Sequence, residues 1–304
     1  MTDSGNTPVR TESDVYDRQI RLWGAEAQSK MSSARVLYVH ITGVSSEILK
    51  NLVLAGVRAA ICDGRPYPST ASTTPSSFLP PAERLALNDE KEGYLPPQST
   101  EESDGERPTK KRRSTTMANA MKPYVEELNP LLDECEINET PIEDVPDSYF
   151  EKFDIVIASR LGIRQAVRIA SATTSSGGKF YLVDTFGLSG CAAIDLGEKH
   201  EFRRELGKKL SDVTRLSSYL SMKHMMGLKL ANATGRFDKV PPRIWAMYRS
   251  LLEYQDETGS FPSSETAADF AEKTMKWLDD CGDAVVGKDF LGSEAELKQL
   301  SLLA

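Results

Sequence analysis

"RVLYVHITGVSSEILKNLVLAGVRAAICD", residues 35 to 63, decides the fold. A β-rich run at 35–41 passes through a turn at Gly43 into apolar residues at helical spacing, Ile48, Leu52 and Ala55, and a second β-rich run follows at 58–63. A strand, a helix and a strand in this order join parallel strands by a crossover that packs the helix on one face of the sheet. The alternation continues beyond it. A helix is expected near 117–129 and strands near 133–138 and at 153–159. A helix at about 163–176, a strand at 179–184 and an added strand at 190–196 complete the series. The pattern predicts an α/β fold, a doubly wound Rossmann-like domain over residues 14–202.

Two stretches break the pattern. Between 64 and 116 the composition turns to Ser, Thr, Pro and charge, as in "PYPSTASTTPSS" and "PPQSTEESDGERPTKKRRSTT". Such a segment buries too little apolar surface to offset its ordering entropy, so a disordered insertion is expected there, as it is for residues 1–13. Lys110, Lys111, Arg112 and Arg113 form a basic run inside it. They read either as a solvated charge run or as a nuclear-import signal. Beyond 202 the chain reads as a mostly helical segment, 203–304, with helical spacing at 212–233, 241–258 and 264–281.

The formal net charge is −8, so a nucleic-acid surface would have to be a local patch, and the folded segments offer none. The apolar runs are too short to span a bilayer, and the N-terminus lacks the apolar core of a secretory signal, so no membrane partner and an intracellular setting are expected. Cys62, Cys135, Cys191 and Cys281 are scattered, with no CxxC pair and no histidine at ligand spacing. That argues for free buried thiols and against a zinc site or a disulfide framework.

A crossover with a glycine in its first turn invites a dinucleotide reading, because small residues there let the backbone reach a pyrophosphate at the helix N-terminus. In "VHITGVSSEI" only Gly43 of the G-x-G-x-x-G set is present, with His40 at the first glycine and Ser45 at the next. A side chain at position 40 would crowd the phosphate path. Asp63 stands where a ribose-binding acid would, or it forms a turn with Gly64. A nicotinamide-dependent oxidoreductase is therefore disfavoured.

Ahead of the first strand lies "YDRQIRLWGAEAQ", residues 16–28. One helix is expected from Asp14, a candidate N-cap, to about Ser32, with Ile20, Trp23, Ala27 and Met31 on its core face. Arg18 and Arg21 then fall on the outward face.

"YDRQIRLWG", "RVLYVHITGVSSEILKNLVLAGV", "VDTFGLSGCAAIDLGEKHEF" and "YRSLLEYQDETGSFPSS" together resemble the smaller, regulatory subunits of SUMO-activating enzymes, in the ubiquitin-activating enzyme family. The resemblance implies a pseudo-active, ThiF/MoeB-like adenylation-type domain without its own nucleotide site or catalytic thiol. No cofactor is expected on this chain, and ATP and Mg on the partner subunit. The implied partners are the larger catalytic subunit and SUMO; on the import-signal reading of residues 110–113 the expected location is the nucleus, with the cytoplasm as the alternative. By the same resemblance Arg18 reaches in trans to the ATP phosphates on the partner, while Arg21 serves either catalysis or the subunit interface. A planar guanidinium suits the first role because it stays charged and can bond two oxygens at once. Family members continue past the helical segment with closing strands, whereas this chain ends at "ELKQLSLLA", so the resemblance implies a shortened domain. A binding protein of the same fold that does not complete a heterodimer is the alternative.

Overall fold

The computed structural model describes residues 15–67, 78, 115–132, 134–186, 189–207, 209–216, 219–228 and 243–280. Residue 14, the basic run at 110–113 and residue 281 lie outside them. Its centre is a six-stranded sheet in the order β3-β2-β1-β4-β5-β6. The strands are β1 (Arg35–Val39), β2 (Arg58–Cys62), β3 (Glu136–Asn138), β4 (Ile155–Ala158), β5 (Lys179–Phe186) and β6 (Ser189–Asp195). Pairings from β3 through β5 are parallel, and β6 closes the edge antiparallel to β5. Adjacent β1 and β4 are not consecutive in sequence, so the order reverses between them.

The continuous apolar character of these strands follows from burial on both faces. Along β1, Val36 and Tyr38 join the cluster under α3 (Gly43–Leu54) and α4 (Met117–Leu128). Leu37 and Val39 join the opposite cluster, under α6 (Ile163–Ser175), where Phe180 and Leu182 of β5 also lie. Between α4 and α6 comes a single turn, α5 (Asp147–Phe150), whose Phe150 is fully buried.

α3 differs from expectation in its face. Its buried residues are Ser45, Ser46, Leu49 and Val53, with Ile48 and Leu52 at the margin. The two serines are small enough to let the first turn sit close on the sheet, which rotates the buried stripe by about one residue.

The N-terminal helix also differs. It is two helices, α1 (Asp17–Trp23) and α2 (Ala25–Ser33), separated by Gly24 at φ 90°, ψ 157°. That conformation is open essentially to glycine alone. The expected core face fails in the first helix, where no residue is buried and Trp23 is 39% exposed, and holds at Met31, which packs against the cluster under α3. The buried anchors are instead Tyr16 and Gln28.

Residues 201–215 form four two-residue strands, β7 (Glu201–Phe202), β8 (Glu205–Leu206), β9 (Lys209–Leu210) and β10 (Thr214–Arg215), so the mostly helical segment expected from 203 does not begin with helix. Among the described residues, helix follows at α7 (Met222–Gly227), α8 (Arg243–Thr258) and α9 (Ala267–Asp280). Met222, Met226, Leu251, Leu252 and Phe270 all enter the cluster beneath α6, so these helices extend one layer of the sheet sandwich.

The insertion is pinched at its neck. Tyr67 N donates to Thr115 O at 2.8 Å and Met117 N to Arg65 O at 2.9 Å, which brings its two ends together. Phe78 lies at the margin of the cluster under α3, 5.9 Å from the Lys50 ammonium.

A large-to-small change at Leu37, which is fully buried, should cost about 2–5 kcal/mol. Trp23→Ala should cost only about 1 kcal/mol, the scale of one part-exposed ring and one hydrogen bond. Urea denaturation of the two variants checks this; equal losses would restore Trp23 to the core.

Candidate functional site

In open α/β sheets ligands bind outside the carboxyl ends of the strands, where the strand order reverses. Here that point lies between β1 and β4, and a cavity of about 620 Å³ opens there. His40, Thr42, Arg65, Arg160, Gln255 and Phe261 are among the residues that line it. His40 follows β1 and Arg160 follows β4, and both have left-handed backbones, at φ 58° and 53°. Non-glycine residues in that region carry strain. At position 40 the backbone thus keeps a conformation that glycine would adopt freely while a side chain occupies the turn. His40 Nδ1 lies 3.3 Å from the Arg160 carbonyl, which ties the two strand ends together.

Several backbone donors at the helix N-termini facing this cleft are engaged by the protein's own groups. Thr42 and Ser45 form a capping box at the start of α3: Thr42 N donates to Ser45 Oγ at 2.7 Å, and Ser45 N donates to Thr42 Oγ1 at 3.4 Å. Ile41 N donates to Asp63 Oδ2 at 2.7 Å. The backbone donors of Ile41, Thr42 and Ser45, which a pyrophosphate would need, are therefore engaged. At the start of α6, Arg164 N donates to Asp256 Oδ1 of α8 at 3.3 Å. Gly162, the cap residue, leaves room for Gln255, because a β-carbon there would stand 1.6 Å from Gln255 Oε1.

Asp63 is buried, and Arg65 meets it through Nε at 2.9 Å and Nη2 at 2.8 Å. Its carboxylate serves the turn, so the ribose-binding alternative does not fit this geometry. Gly64 is required next to it, since a β-carbon would lie 2.2 Å from Glu139 O. Among the described residues, no group of three His, Cys, Asp or Glu side chains is placed to hold a metal ion.

Behind the cleft, Asp184 accepts from Arg160 N at 2.9 Å and from Tyr248 Oη at 2.7 Å, and burial raises its carboxyl above the usual range. The thiols of Cys62, Cys135 and Cys191 are pushed up to about 12, chiefly by burial, so none is a ready nucleophile.

Neither sequence-selected arginine reaches the cleft. Tyr16, just before α1, packs against Gly56 at the opposite end of α3, and a helix of that length spans about 18 Å. Arg21 is held by Asp17, Nη2 to Oδ2 at 2.9 Å. Arg18 is exposed and, among the described residues, makes no hydrogen bond or ion pair.

With this geometry in place, comparison with known proteins adds a relationship. The chain is 26% identical over 283 residues to SUMO-activating enzyme subunit 1 of Dictyostelium discoideum, covering 90% of this chain and 76% of that protein. It is 27% identical over 314 residues to the subunit of the same name from Bos taurus, covering 95% and 82%. Its relatives are SUMO-activating enzyme subunits 1. The Homo sapiens protein of that name matches at 31% over 206 residues, or 68% of this chain and 51% of its own. No family model matches. A crystal structure of selenomethionine PaaA aligns at TM-score 0.43 and 13% identity, covering 64% of this chain and 59% of that one, too loose a match to bear on the fold.

Arg65, Arg160 and Gln255, which line the cleft, and Asp256, which holds Arg164 N, were not selected from sequence. His40, Ser45 and Asp63-Gly64 carried local signals; the rest meet through the fold.

Burial first, and the Arg65 guanidinium second, hold the His40 imidazole below its ordinary value. The unfolded chain then binds this proton more readily than the folded one, so the contribution is intact above about pH 6.5 and is lost as pH falls below it. His40→Asn keeps a residue that tolerates the left-handed backbone. It should flatten the fall of melting temperature between roughly pH 6.5 and 5. Thermal unfolding across that range measures it, with the opposing titration of Asp184 common to both proteins.

Proposed function

We propose that this chain is the non-catalytic regulatory subunit of a heterodimeric SUMO-activating enzyme. It supports ATP-dependent adenylation of the SUMO C-terminus on a larger partner subunit and supplies Arg18 to the ATP held there. ATP and Mg²⁺ belong to the partner, and this chain holds neither. The reading rests on the similarity to SUMO-activating enzyme subunit 1 of several species. One observation carries it furthest: Arg18 is free and outward-facing on a helix seated at the end of α3 remote from this chain's own cleft. From there it cannot serve that cleft, so an action on phosphates must be on another chain. Arg21, engaged by Asp17, is assigned to the interface or to setting the charge around Arg18.

The chemistry demands an arginine. As pyrophosphate leaves, charge grows on the triphosphate oxygens, and a preorganised guanidinium stabilises that growth in a way a ground-state contact does not. The engaged backbone donors of Ile41, Thr42 and Ser45 support the non-catalytic reading.

In a complex shown intact by size exclusion, Arg18→Ala should slow ATP–pyrophosphate exchange about a hundredfold, equivalent to ~3 kcal/mol of transition-state stabilisation. Arg18→Lys should recover only part of that, because a point charge lacks the two-oxygen fork. Wild-type exchange by Arg18→Ala overturns the trans-acting role, and micromolar ATP binding by the isolated chain in calorimetry overturns the non-catalytic one.

The same reading places the chain in the nucleus, on the strength of Lys110, Lys111, Arg112 and Arg113. Alanine at all four should shift a fluorescent fusion toward the cytoplasm with unchanged thermal unfolding. Unchanged nuclear enrichment assigns import to the partner subunit.

A further inference from the structure

Arg18 is carried by a helix with no buried residue of its own, yet its direction is fixed at both ends. At the front, the Tyr16 ring is buried against Gly56, where a β-carbon would stand 2.9 Å from the ring and where φ is +94°. Its hydroxyl accepts from Asn129 Nδ2 at 2.7 Å, and the same amide group donates to Val53 O at 2.8 Å. Asn129 itself is buried, so this bond lies in a setting where leaving a polar group unmatched is costly. At the back, the chain turns at Gly24 into α2, whose Gln28 donates to Ala55 O at 3.1 Å and accepts from Trp23 Nε1 at 3.1 Å. Both ends of α1 are therefore tied to the last turn of α3 or just past it, at Val53, Ala55 and Gly56.

We propose that Tyr16 and Gly24 are positioning residues for Arg18. Tyr16 is the pin and Gly24 the joint that set the angle at which α1 presents the guanidinium to the partner's ATP. The proposal rests on the trans-acting reading of Arg18. It explains why a helix break falls at a glycine whose conformation other residues avoid. A continuous helix from 17 to 33 would turn Trp23 away from Gln28 and carry Arg18 off its present line. Gly24 also offers a clean probe. A β-carbon there meets nothing within 4 Å, so alanine introduces no clash and acts through the backbone alone.

The experiment uses the intact two-subunit complex for exchange kinetics and hydrogen exchange of the same complex as an independent readout. Gly24→Ala should loosen or redirect residues 17–23, seen as faster amide exchange there with β1 unchanged. It should lower the turnover of ATP–pyrophosphate exchange by roughly five- to a hundredfold, the range that 1–3 kcal/mol of backbone strain allows, with little change in KM for ATP. Gly56→Ala, which expels the Tyr16 ring, should do the same from the other end, and Tyr16→Phe, which keeps the ring, should do so more mildly. Unaltered amides at 17–23 in both glycine variants overturn the pin and the joint. Altered amides with wild-type turnover, in a complex where Arg18→Ala is slow, overturn the positioning role. Altered amides with both Gly24→Ala and Arg18→Ala at wild-type turnover instead show that the trans-acting reading of Arg18 has failed, and the positioning role with it.

Discussion

The buried carboxylate of Asp63 holds together the parts of the molecule that define its site. It accepts Ile41 N from the turn after β1 and the Nε and Nη2 groups of Arg65, while Arg65 Nη2 also reaches the Ile41 carbonyl at 3.0 Å. The backbone carries the tie further. Asp63 O accepts Ala118 N at 3.1 Å and Arg65 O accepts Met117 N at 2.9 Å, so the first turn of α4 and the neck of the insertion hang from the same residues. A buried charge is tolerated only when paired and hydrogen-bonded, and removing one partner leaves the other exposed to the full desolvation cost. The consequence is a cleft whose first turn is rigid and internally satisfied.

α3 then separates two kinds of surface. Its N-terminus carries the capping box of Thr42 and Ser45, beside a cavity that Gln255 of α8 lines. Its C-terminal end, with Gly56 and the carbonyls of Val53 and Ala55, receives the paired N-terminal helices. A catalytic doubly wound domain spends its helix N-termini on phosphates. In this chain the backbone donors of Ile41, Thr42 and Ser45 are taken up by structure, and the Arg18 guanidinium, without a partner among the described residues, lies at the other end. Such a division suits a subunit that lends a residue to a neighbour, which is the function we propose.

Much of the sheet was legible from residues alone. β1, β2 and β4 fall within the apolar runs that announced them and β5 runs two residues past its own, because strands buried on both faces need uninterrupted β-branched and aliphatic residues. The N-terminal helix was legible only as helix. Its periodicity placed Ile20 and Trp23 inward, but a seven-residue helix ended by Gly24 is held by its flanks, and its apolar residues need not face the core. The stretch 203–215 misled for a related reason: two-residue strands are too short to show a period of two, so β10 was read within the helical spacing at 212–233 and β8 and β9 as part of a mostly helical segment.

By itself the sequence determined the alternation of strands and helices from β1 to β6, the degenerate first turn with His40 and Ser45 in place of glycines, and two outward-facing arginines on the helical stretch ahead of β1. Those properties follow from local spacing and side-chain size. The tertiary structure alone decided that Asp63 is spent on Arg65 and Ile41, that Gln255 and Asp256 come from more than ninety positions away to close the start of α6, and that Arg21 is paired while Arg18 is free. Each of these depends on which distant groups meet in a solvent-poor place, and there an unpartnered polar group costs more than local preference can supply.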